Sequence, residues 1–162
     1  MGTQNQQVLL EVIGRKYKSL KQPDYSFANK AISSRPYDSI IKKLQNSFDV
    51  EEITDTNDDV SFCYMVSKSN NQWVIELSML GLYATVLRVL EAGHAELITP
   101  NTATPVEQGI MSLLLGNQFE IMGQRDLEQS IDLKLFNTEP ENTCIYQALF
   151  SDTDVLPWKV KS

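Results

Sequence analysis

Between Val60 and Met79 the apolar residues recur at every second position, and that period constrains the fold more than any other feature of the chain. Val60, Phe62, Tyr64 and Val66 alternate with Ser61, Cys63 and Met65; beyond a polar stretch at 67–71, Trp73, Ile75, Leu77 and Met79 alternate with Val74, Glu76 and Ser78. A period of two sets alternate side chains on opposite faces of a strand. The Ser- and Asn-rich stretch between the two runs predicts a hairpin turn, with Trp73 in the core. Gly81 interrupts the pattern, and Leu82 to Val89 forms a further apolar, β-branched run. Residues 50–98 therefore read as an antiparallel meander of three or four strands, with Val50 and Ile53 offering a short strand at its start.

On either side of this region the spacing is helical. Val8, Leu9, Val12, Ile13, Tyr17 and Leu20 fall three and four apart, which predicts a helix over 8–20. Gly14 within it costs about 1 kcal/mol relative to Ala, and Pro23 stops it. The polar stretch 24–35 reads as containing a loop. Ser34-Arg35-Pro36 predicts the start of a second helix carrying Tyr37, Ile40, Ile41, Leu44 and Phe48 on one side. Thr104-Pro105-Val106-Glu107 matches a capping box with Pro in the first turn, so a further helix is expected around 105–115, closed by Gly116-Asn117. Beyond it, 119–122 reads as a strand and 125–129 as a helical turn. Ile131, Leu133 and Leu135 alternate as a strand, 138–142 is a turn, and 144–150 is left open between strand and helix. Trp158 is expected to fold the tail back onto the domain. The order predicts a single α+β domain over 1–162, with N-terminal helices followed by a mainly antiparallel sheet.

Charge narrows the class of partner. Residues 1–48 hold eight bases against three acids, a net of +5, whereas 49–162 hold six bases against eighteen acids, a net of −12. Phosphate recognition wants a concentrated basic surface, so a nucleic-acid partner is not expected. A basic protein partner suits the acidic part, although acidic surfaces also serve solubility alone. No stretch approaches the roughly 20 apolar residues of a membrane span. The polar start lacks the apolar core of a secretory signal, and Gln6 breaks the myristoylation pattern that Gly2 begins. A cytoplasmic location is expected, with Cys63 and Cys144, 81 residues apart, as buried free thiols rather than a disulfide.

The chain offers little for catalysis. Its single histidine, His94, sits in a Gly-containing turn, and histidine-based triads and most zinc sites would have to pass through it. Ser39-Ile40-Ile41-Lys42 fits the loose S-x-x-K pattern, but on an ordinary amphipathic helix and without companion motifs. Phosphate loops, dinucleotide fingerprints, H-E-x-x-H and C-x-x-C are absent from the sequence. Asp55, Asn57, Asp58 and Asp59 lack the Gly and Glu spacing of a calcium loop. The expectation is a binding protein with no catalytic residue, metal or cofactor. An enzyme with an unfamiliar site and a regulatory or scaffold module remain the alternatives.

Gln72-Trp73-Val74-Ile75-Glu76-Leu77-Ser78-Met79-Leu80-Gly81-Leu82-Tyr83-Ala84 resembles a segment of bacterial immunity proteins from contact-dependent growth inhibition and related polymorphic toxin systems. Tyr146-Gln147-Ala148-Leu149-Phe150-Ser151-Asp152 and Leu156-Pro157-Trp158 are similar in style, so the resemblance spans the last two-thirds of the chain. It implies a small cytosolic protein that binds one cognate toxin domain and blocks it by occlusion. Many such toxins are nucleases with basic surfaces. The candidate contacts are Glu51, Glu52, Asp55, Asp58 and Asp59, with Asp152 and Asp154 second. At each position a solvated loop acid is the plain alternative, and the family supplies no fixed contact motif.

Overall fold

The computed structural model describes residues 2–159. Helices α1 (Gly2–Tyr17), α2 (Ser26–Ser34) and α3 (Asp38–Leu44) precede strands β1 (Asp49–Glu52), β2 (Ser61–Lys68), β3 (Asn71–Ser78), β4 (Tyr83–Val89) and β5 (Ala95–Ile98). Helix α4 (Pro105–Gly116), strand β6 (Glu120–Ile121) and the short helices α5 (Gln124–Leu127) and α6 (Ile145–Leu149) follow. This is an α+β fold whose sheet is antiparallel in the order β1-β2-β3-β4-β5. The meander thus holds five strands. β6 adds a parallel contact to the start of β4, pairing Tyr83 with Glu120, while β5 takes the rest of that strand. A two-residue turn joins β2 to β3, with Ser69 left-handed at φ 56°.

The alternation read from the sequence separates two cores, one on each face of the sheet. Phe62, Tyr64, Val66, Trp73, Ile75 and Leu77 pack with residues of α2, α3 and α4, including Ala28, Ile41 and Ile110. The other core gathers Leu9, Ile13 and Tyr17 of α1 with Leu133, Leu135 and the whole apolar length of α6. The strand positions facing α6 are Ser61, Cys63, Glu76, Ser78 and Thr85, all buried. Two of them, Ser61 and Ser78, serve the C-terminal end of α6, where the last carbonyls have no partner within the helix. Tyr17 donates its hydroxyl to the Ala148 carbonyl at 2.6 Å, Ser78 to that of Leu149 at 2.8 Å, and Ser61 to that of Phe150 at 2.9 Å. The serines of the hairpin are the helix's C-terminal cap.

Glu107, the capping-box glutamate, ties α4 to the other face. Its carboxylate accepts the Thr104 N–H at 2.8 Å, the Trp73 indole N–H at 2.7 Å and two bonds from the Arg88 guanidinium at 2.6 and 2.7 Å. Arg88 also pairs with Glu96 on β5.

The structure corrects several expectations. The first helix begins six residues earlier than predicted and ends at Tyr17, leaving Val8 and Leu20 exposed. The polar stretch at 24–35 holds α2, whose inner face is the buried Ala28 and Ala31 with the partly buried Phe27 and Ile32 packed beside them. The next helix starts at Asp38 rather than at Ser34-Arg35-Pro36, because Arg35 adopts a left-handed conformation (φ 51°) that closes α2 instead. Ile131, Leu133 and Leu135 form no strand; Leu133 and Leu135 are buried as the alternation requires, but this segment's strand-like pairing is confined to the Ser130–Cys144 bridge. Residues 145–149 are helical. Cys63 and Cys144 are both buried and free. Trp158 does fold back, donating to Glu128 at 2.7 Å and meeting Tyr146 edge-on.

Candidate functional site

The acid connector that follows β1 does not stand alone. Asp55 opens its loop by accepting the Asn57 N–H at 3.0 Å, and its own N–H donates to Asp59 at 2.8 Å. Asp58 accepts from the Asn137 side-chain amide at 2.8 Å, and Asp59 from the Ser151 hydroxyl at 2.8 Å. The Asp152 N–H donates to the Asp58 carbonyl at 2.9 Å. Three segments, 55–59, 136–139 and 151–154, are thereby sewn into one rim. Asp55, Asp58, Asp59, Asp152 and Asp154 all belong to it.

Within the rim the acids have different tasks. Asp152 is 7% exposed, so it is no surface contact: its carboxylate accepts the Phe136 and Asn137 N–H groups, each at 3.0 Å, and the Thr138 hydroxyl at 2.6 Å. Asp154 accepts the Glu139 N–H at 2.8 Å and the Asn142 amide at 3.2 Å. Burial pushes the Asp59 carboxyl above its ordinary range, against the hydrogen bonds it accepts from Asp55 and Ser151. Glu52 turns away to Arg35, whose hydrogen bonds hold its carboxyl below the ordinary range. Glu51 is exposed and, among the described residues, makes no side-chain hydrogen bond or ion pair. The freest acid is thus Glu51, with the exposed Asp55 engaged only by Asn57 of its own loop and Asp58 and Asp154 tied to other segments.

The bonds to Asp152 fix a residue absent from the sequence-based candidates. Phe136 is 85% exposed, the most exposed large apolar side chain among the described residues. Its backbone N–H is clamped by Asp152, and its ring stacks on Tyr25 at 5.8 Å between centroids. A signal for it existed: the phase that buries Leu133 and Leu135 sends position 136 outward, where a phenylalanine is anomalous. Beside the rim lies a cleft of about 490 Å³ lined by Glu128, Glu141, Asp154, Cys144, Leu156 and Lys159. Lys159 pairs with Glu128 across it at 3.4 Å. The arrangement presents a fixed aromatic among acids, which suits contact with a surface that is basic around an apolar hollow.

Other groups with chemical potential lie elsewhere. Glu76 is sealed between sheet and α6, held by the Thr85 hydroxyl at 2.7 Å and the Tyr146 hydroxyl at 2.9 Å; burial pushes its carboxyl up to about 7. Burial likewise pushes both thiols up, which makes them poor nucleophiles. His94 is exposed in the turn after β4. Ser39 and Lys42 are both exposed on α3. Among the described residues no group of three or more His, Cys, Asp or Glu is placed to hold a metal ion, and no helix is long and apolar enough to cross a membrane. Comparison with protein-family models, with characterised proteins and with solved structures finds no match to this chain.

Proposed function

We propose that this chain is a cytoplasmic immunity protein that neutralises a basic, nuclease-type toxin domain by occlusion, using the acidic rim around Phe136 as its contact face. The observation that carries the reading is Phe136 itself, an exposed ring stacked on Tyr25 and borne on a backbone that a buried aspartate clamps. An aromatic fixed before contact loses little entropy on binding, which is the property of an interface anchor. The resemblance at 72–84 and the net −12 of residues 49–162 support the same reading. In it, Glu51 and Asp55 steer the approach of lysines and arginines, and Phe136 supplies affinity once contact is made.

The test is recovery of the tagged protein from its native host, with the associated protein identified by mass spectrometry. A stoichiometric toxin domain that kills cells when this chain is withheld is the expected result. Phe136→Ala should then weaken the complex by roughly tenfold or more, chiefly through faster dissociation. Glu51→Lys with Asp55→Lys should slow association and flatten its salt dependence. If the protein elutes alone, and its loss leaves cells indifferent to the neighbouring gene product, the proposal is wrong.

A further inference from the structure

Where the end of α3 faces the first turns of α4 lies a cleft of about 420 Å³, a size within the range of small-molecule sites, roughly 300–1,000 Å³. Its apolar lining is Leu44, Phe48, Val106 and Leu113. Leu44 and Phe48 belong to the buried core, and Val106 and Leu113 pack against it half-covered. The Trp73 ring meets that of Phe48 edge-on at 5.7 Å, so this lining is continuous with the centre of the core.

The charge on the cleft is of one sign. Lys43, in the last turn of α3, and Lys68, at the end of β2, line it, and among the described residues no Asp or Glu does. Neither lysine has an ion-pair partner among the described residues. The Lys68 Nζ lies 5.2 Å from the centre of the Phe48 ring, which carries its ammonium over the apolar lining. Two like charges bordering one hollow repel each other, and an anion between them relieves that repulsion.

Gly109 completes the wall. It sits inside α4, where a glycine weakens the helix relative to alanine. A Cβ at this position would meet nothing within 4 Å, so the packing of the chain does not require glycine there. Its effect is to keep the cleft open.

We infer that this cleft binds a small amphiphilic anion, with its acidic head between Lys43 and Lys68 and a short alkyl or aryl body laid along Phe48, Val106 and Leu113 past Gly109. The apolar lining selects a body that inorganic anions lack, and the helices on either side confine the site to a free molecule rather than a membrane surface. The inference is independent of the toxin-binding reading, since it concerns α3 and α4 rather than the rim around Phe136.

The probe is sodium octanoate, titrated into the full chain below its micelle-forming concentration and followed by NMR. It should shift the Gly109, Val106 and Leu113 signals saturably, with a dissociation constant of about 1 mM. Affinity should rise at least about twofold per methylene from butanoate through hexanoate to octanoate, as a partly buried chain requires. Acetate, which has the head alone, and octyltrimethylammonium, which has the body under the opposite charge, should not saturate. Replacing both lysines, Lys43→Met with Lys68→Met, should weaken binding about tenfold. Gly109→Leu fills the hollow and should abolish binding while melting no lower than the parent. The inference is overturned if no saturable shift appears up to about 50 mM, at which even weak pocket ligands register. It is equally overturned if octyltrimethylammonium reproduces the shifts, or if binding survives these substitutions. A sedimentation coefficient that rises with protein concentration, and no longer does so in Gly109→Leu, would assign the cleft to a second copy of the chain and overturn it too. Should Gly109→Leu fail to fold, the lysine pair decides, since both side chains are exposed.

Discussion

Asp152 and Glu51 carry the same charge and make opposite predictions. Asp152 is buried and accepts two backbone N–H groups and a hydroxyl. Asp152→Ala leaves all three donors short of a partner, and we expect a loss of about 3 kcal/mol, read as a lower urea midpoint at unchanged slope. Glu51→Ala removes an exposed side chain with no internal partner and should stay within about 0.5 kcal/mol. Phe136→Ala belongs with Glu51, since its 85% exposed ring leaves water on neither side of folding; its stability should move by less than about 1 kcal/mol while binding to a partner falls. Equal destabilisation by Asp152→Ala and Glu51→Ala would remove the rim's internal scaffold from the account. From sequence alone these acids were indistinguishable. Burial of a carboxylate depends on donors about 15 residues upstream, and no local pattern encodes that.

At the scale of elements, legibility follows from whether an element's determinants are local. The hairpin was readable because both strands alternate and a two-residue turn joins them. Helix α4 was readable because its cap lies within four residues, although the ion pair that buries Glu107 against Arg88 and Trp73 was not. Helix α2 was missed because its apolar stripe, Phe27, Ala28, Ala31 and Ile32, is confined to nine residues among polar neighbours, and the segment 131–135 was over-read because burial alternates there without strand partners. The five-residue helix α6 is the extreme case. Its C-terminal carbonyls are capped by Tyr17, Ser61 and Ser78, the nearest of them 71 residues away. Ser78→Ala should therefore cost about 1–3 kcal/mol, far more than a serine on an exposed strand face, because the Leu149 carbonyl stays buried and unpaired. A substitution that costs nothing in thermal denaturation would mean that α6 holds its place by apolar packing alone.

Across the whole molecule two buried carboxylates, one on each side of the sheet, pull the pH dependence of stability in opposite directions. Glu107 is raised by burial, but the Arg88, Thr104 and Trp73 donors overcome this and bring it down to about 2. Its contribution is present above the ordinary glutamate value and is lost as pH falls towards 2. Glu76 has hydroxyl partners only, and burial carries it up to about 7. A carboxyl raised on folding binds its proton more tightly in the native state. Its stabilising contribution is complete below the unfolded value and is lost as pH rises to about 7. A shift from about 4.5 to about 7, at roughly 1.4 kcal/mol per unit, amounts to about 3 kcal/mol. Asp59 and Glu120, both raised by burial, act in the same direction, as does the growing negative charge of a chain with pI near 4.7. Stability should therefore be greatest near pH 5 and fall towards pH 8. Urea unfolding at pH 5, 6, 7 and 8 measures the slope, and Glu76→Gln isolates its main source. The variant cannot ionise at 76, so it should lose most of the decline between pH 5 and 7 even if it is less stable at pH 5. A wild-type profile flat across this range, or a Glu76→Gln profile with the full wild-type slope, would show that the carboxyl under α6 does not ionise at the pH its burial implies.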